Sequence, residues 1–191
     1  MIRKDGNKAY GFVCNLSNKD EIYSVAKAVK TQVGDISILI NNAGIVSGTS
    51  ILDTPDGKFC RFTFHISRKC LFSMYVMIHL LSSLRFILPL EKIERTFNVN
   101  VLAHFWTIKS FLPEMINNKK GHIVTIASLA GHSGTNKLVD YCSSKFANVG
   151  MDEALKAELY VQGVSSFIKT TVVCPYYIST GMFAGVQSKV S

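Results

Sequence analysis

The chain is short of several things, and each shortage closes off a class of function. Its five cysteines (Cys14, Cys60, Cys70, Cys142 and Cys174) show no paired spacing. An odd, scattered set is no disulfide framework and reads as free thiols of a reducing compartment. Cys60, His65 and Cys70 lie close in sequence but match no zinc spacing, so no metal site is expected. The opening Met-Ile-Arg-Lys-Asp-Gly holds no signal-type apolar region. No low-complexity tract or internal repeat occurs beyond an α/β alternation. The fifteen residues from Cys70 to Leu84 carry no charged side chain, which falls short of the roughly 20 that a membrane span needs.

Acids are missing from one region altogether. Between Lys58 and Leu90 there are five cations (Lys58, Arg61, Arg68, Lys69 and Arg85) and no carboxylate. The formal net charge of +8 therefore falls to +3 outside this segment. No basic helix with interleaved aromatics occurs elsewhere, so nucleic acid is not an expected partner. A membrane surface is an expected partner only through 58–90, as an interfacial helix.

With 191 residues, 48% of them apolar and 18% charged, the composition is that of one globular domain with a sizeable core. Residues 9–14 are short and apolar and predict a strand. Ile22, Val25, Ala26, Val29 and Val33 recur at helical spacing, with Ser17, Asp20 and Glu21 as a start signal and Gly34 as a stop. Residues 36–40 predict a buried strand that ends in Asn41-Asn-Ala-Gly44. Strand, helix, strand in this rhythm implies a parallel sheet, with ligands beyond the carboxyl ends of its strands. At that end Gly44 would let the backbone approach a ligand, and the Asn amides would brace neighbouring strands. A long helix is predicted over 93–117, with Phe97, Val101, Phe105, Ile108 and Leu112 as its apolar stripe and Pro113 interrupting it near the end. Strands follow at 122–127 and 170–174, and a helix at 141–161.

The chemistry concentrates between Ser128 and Lys145. Ser128 closes an apolar strand, Ile123 to Ala127, and Tyr141 opens a helix with Lys145 four residues on. That spacing stacks phenol and ammonium on one helix face. A phenol titrating near about 10 is a poor acid-base group at neutral pH, and a fixed cation is expected to bring it down. Tyr-x-x-x-Lys alone also describes an ordinary helix surface. Ser128, thirteen residues upstream at a strand end, turns the balance toward a site.

Asn41-Asn-Ala-Gly44, Asn100, Ser128, Tyr141-x-x-x-Lys145 and Pro175-x-x-x-x-Thr180, in this order, resemble the short-chain dehydrogenase/reductases. Val99-Asn-Val-Leu-Ala-His-Phe-Trp106, Thr170-Thr-Val-Val-Cys-Pro175 and Thr180-Gly-Met-Phe183 are similar to the 16C-type members, the epidermal retinol dehydrogenases and related 17β-hydroxysteroid dehydrogenases. The resemblance implies NAD(P)-dependent oxidation of a lipophilic alcohol, retinol or a hydroxysteroid, with NAD the first candidate and NADP open. It implies Tyr141 as general acid-base, Lys145 as the group that depresses its pKa and holds the nicotinamide ribose, Ser128 as the substrate-orienting hydroxyl and Asn100 as the anchor of a relay water. Asn15, Leu16, Asn42, Ala43, Gly44, Tyr141, Lys145, Pro175, Ile178 and Thr180 would line the cofactor, with Asn15 standing where the family usually has an Asp. It also implies homo-oligomers formed through helices 93–117 and 141–161. The implied location is the cytosolic face of the endoplasmic reticulum membrane, or the cytoplasm if an N-terminal anchor was the chain's only membrane tie.

The family's opening Thr-Gly-x-x-x-Gly-x-Gly turn has no match here, and Met1 falls near the family's third strand. The expected fold is therefore an α/β, incomplete doubly wound parallel sheet lacking the first two strands and the Gly-rich loop. It forms a single partial domain, 1–191, interrupted at about 57–90. Composition and charge change abruptly at both edges of that interruption, which reads as unspliced or mispredicted coding sequence or a decayed gene copy. The alternative to an enzyme is thus a catalytically silent remnant that acts only by dimerising or at a membrane surface.

Overall fold

The computed structural model describes residues 10–48, 50, 90–176 and 178. Three strands, β1 (Ile38–Asn41), β2 (Gly121–Ile126) and β3 (Ile168–Val173), form one parallel sheet in the order β1-β2-β3. Leu39 pairs with Ile123, and Ile123 with Thr170. Helix α1 spans Lys19–Gln32, and a second helical run comprises α2 (Leu90–Phe97), a π-helical turn (Asn98–Leu102) and α3 (Ala103–Asn117). A 3-10 turn (Leu129–Gly131) and α4 (Val139–Val161) connect β2 to β3. The α/β class and parallel sheet expected from the sequence are what the chain forms.

The core lies between the sheet and the helices. Ile123 and Met115 are fully buried and Ile168 is nearly so, packed with Leu39, Ile108, Phe111, Met151 and Leu159. Fully burying one such side chain contributes about 1.5–3 kcal/mol. Alpha-1 is capped by Asn18, whose side chain accepts from the Asp20 and Glu21 amides, and Asp20 and Glu21 complement the helix N-terminus. The cap is one residue later than the Ser17 signal. Gly34, at φ 95°, closes the helix in a conformation that favours glycine.

Several expectations are corrected. Residues 10–14 form no strand: they have no ladder partner among the described residues, and Val13 is exposed. The strand predicted at 36–40 forms at 38–41 and is buried on one face only. Ile38 and Ile40 are each 59% exposed while Leu39 and Asn41 are buried, because α3 and α4 pack on the same side of the sheet. Pro113 does not interrupt α3. Pro113 and Lys109 are both exposed, so the Lys109 carbonyl that the proline leaves without a donor faces water. The stripe expected along this run is met in part, with Val101 and Ile108 buried and Phe97 and Leu112 half-buried. Phe105 is exposed, whereas Thr96, Asn100 and His104 are buried with Ile108, Phe111 and Met115. Polar residues occupy part of the buried face, and a hydrophobic pattern cannot register them. The interruption at 57–90 lies, apart from Leu90, outside the described residues.

Candidate active site

The carboxyl ends of the three strands converge. Asn42–Gly44 follow β1, Ser128 follows β2, and Cys174 and Pro175 follow β3. Beta-2 delivers Ser128 in extended backbone, and its Oγ accepts from the Ala130 amide at 3.2 Å, capping the 3-10 turn. The Pro175 carbonyl accepts from the Leu129 amide at 2.9 Å, which ties the end of β3 to that turn. Gly131 lets the turn lie directly on α4, since a Cβ there would stand 2.8 Å from the Lys145 carbonyl oxygen.

Tyr141 and Lys145 project from the first turns of α4, both buried. The Lys145 ammonium lies 5.6 Å from the centroid of the Tyr141 ring and donates to the Ile126 carbonyl at 2.9 Å. Burial lowers its pKa to about 8, and Cys174 opposes that shift. Burial pushes the Tyr141 phenol up, a hydrogen bond with Ser128 acts in the opposite direction, and Cys142 adds to the rise. The expectation that Lys145 would bring the phenol down is therefore not met in this arrangement. Desolvation of the phenolate outweighs the Ser128 hydrogen bond. Ser128, Tyr141 and Lys145 are brought together as the sequence implied.

Asn100 sits in the π-helical turn and is fully buried. Its Oδ1 accepts from the Ile45 amide at 2.7 Å, and its Nδ2 donates to the Ile45 carbonyl at 2.9 Å and to Ser144 Oγ at 3.0 Å. Ser144 Oγ donates in turn to the Tyr141 carbonyl at 2.7 Å. The Asn100 amide thus joins the segment after β1 to the helix that carries Tyr141. A Cβ on Gly44 would lie 3.5 Å from Asn100 Oδ1 and 3.6 Å from Lys145 Nζ, so this backbone passes close over both groups. Asn41 braces a helix and not a strand, its Oδ1 accepting from Thr107 Oγ1 at 2.7 Å. Asp140, at the start of α4, accepts from Ser47 and Thr96, each at 2.9 Å.

Other predicted residues stand apart. Asn15 is exposed, with its Oδ1 accepting from the Ser17 amide at 3.1 Å. No hydrogen bond among the described residues joins Asn15 to the group around Tyr141. Leu16 is half-buried beside it, Ile178 is exposed, and Thr180 lies outside the described residues. Two residues at the site were not foreseen. His104 is buried four residues after Asn100, and its pKa is lowered to about 4 by burial and then by Lys145, against the Ala43 carbonyl. His132 approaches Cys174, with Nε2 3.4 Å from Sγ. The i, i+4 spacing of Asn100 and His104 was the available signal for the first. The second pairs residues 42 apart and left none.

Lys145 has three N–H donors, one of which the Ile126 carbonyl takes, and the Gly44 backbone opens directly beside it.

A family model described as short chain dehydrogenase matches residues 1–83 and 85–191. Epidermal retinol dehydrogenase 2 of Homo sapiens is 44% identical over 186 residues, covering 97% of this chain and 49% of that protein. Estradiol 17-beta-dehydrogenase 11 of Mus musculus is 44% identical over 179 residues, covering 94% and 48%. Short-chain dehydrogenase/reductase family 16C member 6 of Bos taurus is 42% identical over 182 residues, covering 95% and 46%. The chain spans about half the length of the curated relatives it matches. Among solved structures, a metagenomic short-chain oxidoreductase in complex with NADP is similar at 25% identity with a TM-score of 0.65, over 91% of this chain and 62% of that one. A gluconate 5-dehydrogenase from Burkholderia cenocepacia, in complex with NADP and tartrate, shares the fold at 18% identity with a TM-score of 0.69, over 95% and 56%.

Proposed function

The chain belongs to the short-chain dehydrogenase family, and from that premise we propose that it is an NAD(P)-dependent oxidoreductase acting on a lipophilic alcohol of the retinol or hydroxysteroid kind. The observation that carries this reading is the convergence of Ser128, Tyr141 and Lys145 beside the backbone of Gly44. The relatives named for retinol and estradiol support the substrate class, and NAD is proposed over NADP as the working cofactor.

The nicotinamide, when bound, supplies the hydride chemistry. Tyr141 takes the alcohol proton on its phenolate oxygen, or returns one from the phenol when a carbonyl is reduced. Ser128 shares its hydroxyl between Tyr141 and the substrate oxygen and so fixes where that oxygen lies. Lys145 holds the ribose hydroxyls and, while charged, favours the phenolate. Asn42, Ala43, Gly44 and Pro175 line the cofactor, with Asn15, Leu16, Ile178 and Thr180 further along it. Asn100 contributes by fixing the backbone that this site is built on, and the anchoring of a relay water is assigned to it on family grounds.

Exposed apolar side chains on the outer faces of the two long helical runs, Leu102, Phe105, Val139 and Phe146, support self-association, which light scattering would measure. Among the described residues no helix is long and apolar enough to cross a membrane. Location at the cytosolic face of the endoplasmic reticulum membrane is proposed on family grounds, and contact with a membrane surface is proposed through 58–90, which flotation with liposomes, with and without that segment, tests.

The deciding experiment is a fluorescence titration of the 191-residue chain with NADH and NADPH, followed by a retinol oxidation assay. Saturable micromolar binding with turnover, and binding without turnover in Tyr141→Phe, is the expected result. Folded protein that binds neither nucleotide sinks the proposal and leaves the silent remnant.

A further inference from the structure

Three side chains of one helical run meet three alternate residues at the end of β1 and just beyond it. Asn100 pairs twice with the main chain of Ile45. His104, four residues on, lies with its imidazole toward the Ala43 carbonyl. Thr107 Oγ1, three further, lies 2.7 Å from Asn41 Oδ1 and 3.0 Å from the His104 carbonyl, and its one hydrogen is shared between these two acceptors. Residues 100, 104 and 107 thus oppose 45, 43 and 41, running in opposite directions. The spacing follows from geometry. A helix rises roughly 4.5–6 Å over three or four residues and an extended chain about 6.6 Å over two, so successive rungs stay near one another.

The middle rung is the unusual one. His104 is 2% exposed, and neither ring nitrogen reaches full hydrogen-bond geometry with any partner among the described residues. Burying an imidazole in this state is costly, and a leucine would fill the same volume without that cost. We infer that His104 is a positioning residue, whose neutral imidazole holds the Ala43 carbonyl and with it the Asn42–Gly44 segment beside Lys145. The tautomer that donates to Ala43 leaves the other nitrogen as an acceptor in the field of the Lys145 ammonium, so protonation would place a second cation there. Of the elements packed on α3, α4 presents Lys145 to the ring. Residues 41–45 carry no titratable side chain, Lys19 and Lys30 of α1 lie over Trp106 and Phe111 instead, and His122 of β2 bonds to Thr171. Burial and Lys145 together keep the ring neutral until about pH 4.

The consequence for cofactor affinity rests on the function proposed above, whereas the positioning itself does not. The test compares the full chain with His104→Leu, which keeps volume without a donor, and His104→Gln, which keeps an uncharged donor. Hydrogen exchange by mass spectrometry over 42–46 at pH 7 should be about tenfold faster in His104→Leu and within about twofold of the unmodified chain in His104→Gln. Equal protection of 42–46 in a folded His104→Leu overturns the inference. If that variant does not fold, His104→Gln decides through pH. Relative to intrinsic exchange rates, the unmodified chain should lose protection of 42–46 as pH falls toward 4 while His104→Gln retains it, and parallel loss in both overturns the role. NADH titration should show about tenfold weaker binding in His104→Leu, with recovery in His104→Gln. Failure of the unmodified chain to bind NADH would remove the proposed function, and the exchange comparison would still decide the positioning role.

Discussion

Both faces of the three-stranded sheet carry apolar residues, and these meet different fates. On one face Leu39, Ile123 and Ile168 are buried under α3 and α4. On the other, Ile38 and Ile40 are more than half exposed and Val173 is 38% exposed. Strands of a parallel sheet read as continuous apolar runs when both faces are covered, and Ile-Leu-Ile is such a run. Among the described residues the helices cover one face, and that covered face also carries the site. Tyr141, Lys145 and His104 come from helices whose other contacts make the core, so binding geometry and stability share one layer.

The comparison can be tested from its strongest contrast down. Tyr141→Phe, at the upper rim of the covered face, should lower turnover by about a thousandfold while NADH binding and melting temperature hold, as expected for loss of an acid-base group. Ile123→Ala, in the centre of that face, should cost about 2–5 kcal/mol in urea unfolding. His104 adds a pH-dependent component. Its folded pKa of about 4 lies below the ordinary value of 6.5, so the unfolded chain binds more protons between these values and stability falls as pH drops through that window. The loss approaches about 3 kcal/mol. His104→Gln should remove it, read as the difference in unfolding midpoints at pH 7 and pH 4. Asp152, whose pKa burial raises, acts in the opposite sense in both proteins and cancels from the difference. Ile40→Ser, on the open face, should change stability by less than about 0.5 kcal/mol. A cost like that of Ile123→Ala would show that this face is covered in solution and end the contrast.

The site carries a pH signature of its own. With Tyr141 pushed up, alcohol oxidation should rise with pH through neutrality as phenolate forms. Carbonyl reduction should hold level and then decline as Lys145 loses its proton near 8. Stopped-flow rates in both directions would check this. An oxidation rate already flat at pH 7 would mean that cofactor or substrate lowers the phenol well below its position here.

The alternation of elements and the order of motifs were legible because they depend on local pattern. Apolar runs marked all three strands of the sheet, Gly34 marked a helix end, and Tyr-x-x-x-Lys after a strand-ending Ser marked the site. What escaped was set by long-range context. Among the described residues, 10–14 have strand composition but no ladder partner, and Ile38 and Ile40 are apolar without cover. The direction of the Tyr141 shift turned on how much water its surroundings exclude, a quantity that spacing does not carry. His104 was passed over because a hydrophobic stripe was sought on a face where Asn100 and His104 do the packing.

The π-helical turn at Asn98–Leu102 bears on which changes the gene can tolerate. Such a turn accommodates one more residue than an α-turn would, and everything downstream is rotated to match. Losing a single codon there would swing α3 by roughly 100° about its axis, carrying Thr107, Ile108 and Phe111 off their partners together. Many substitutions in that stretch would be survivable. A change in its length would not.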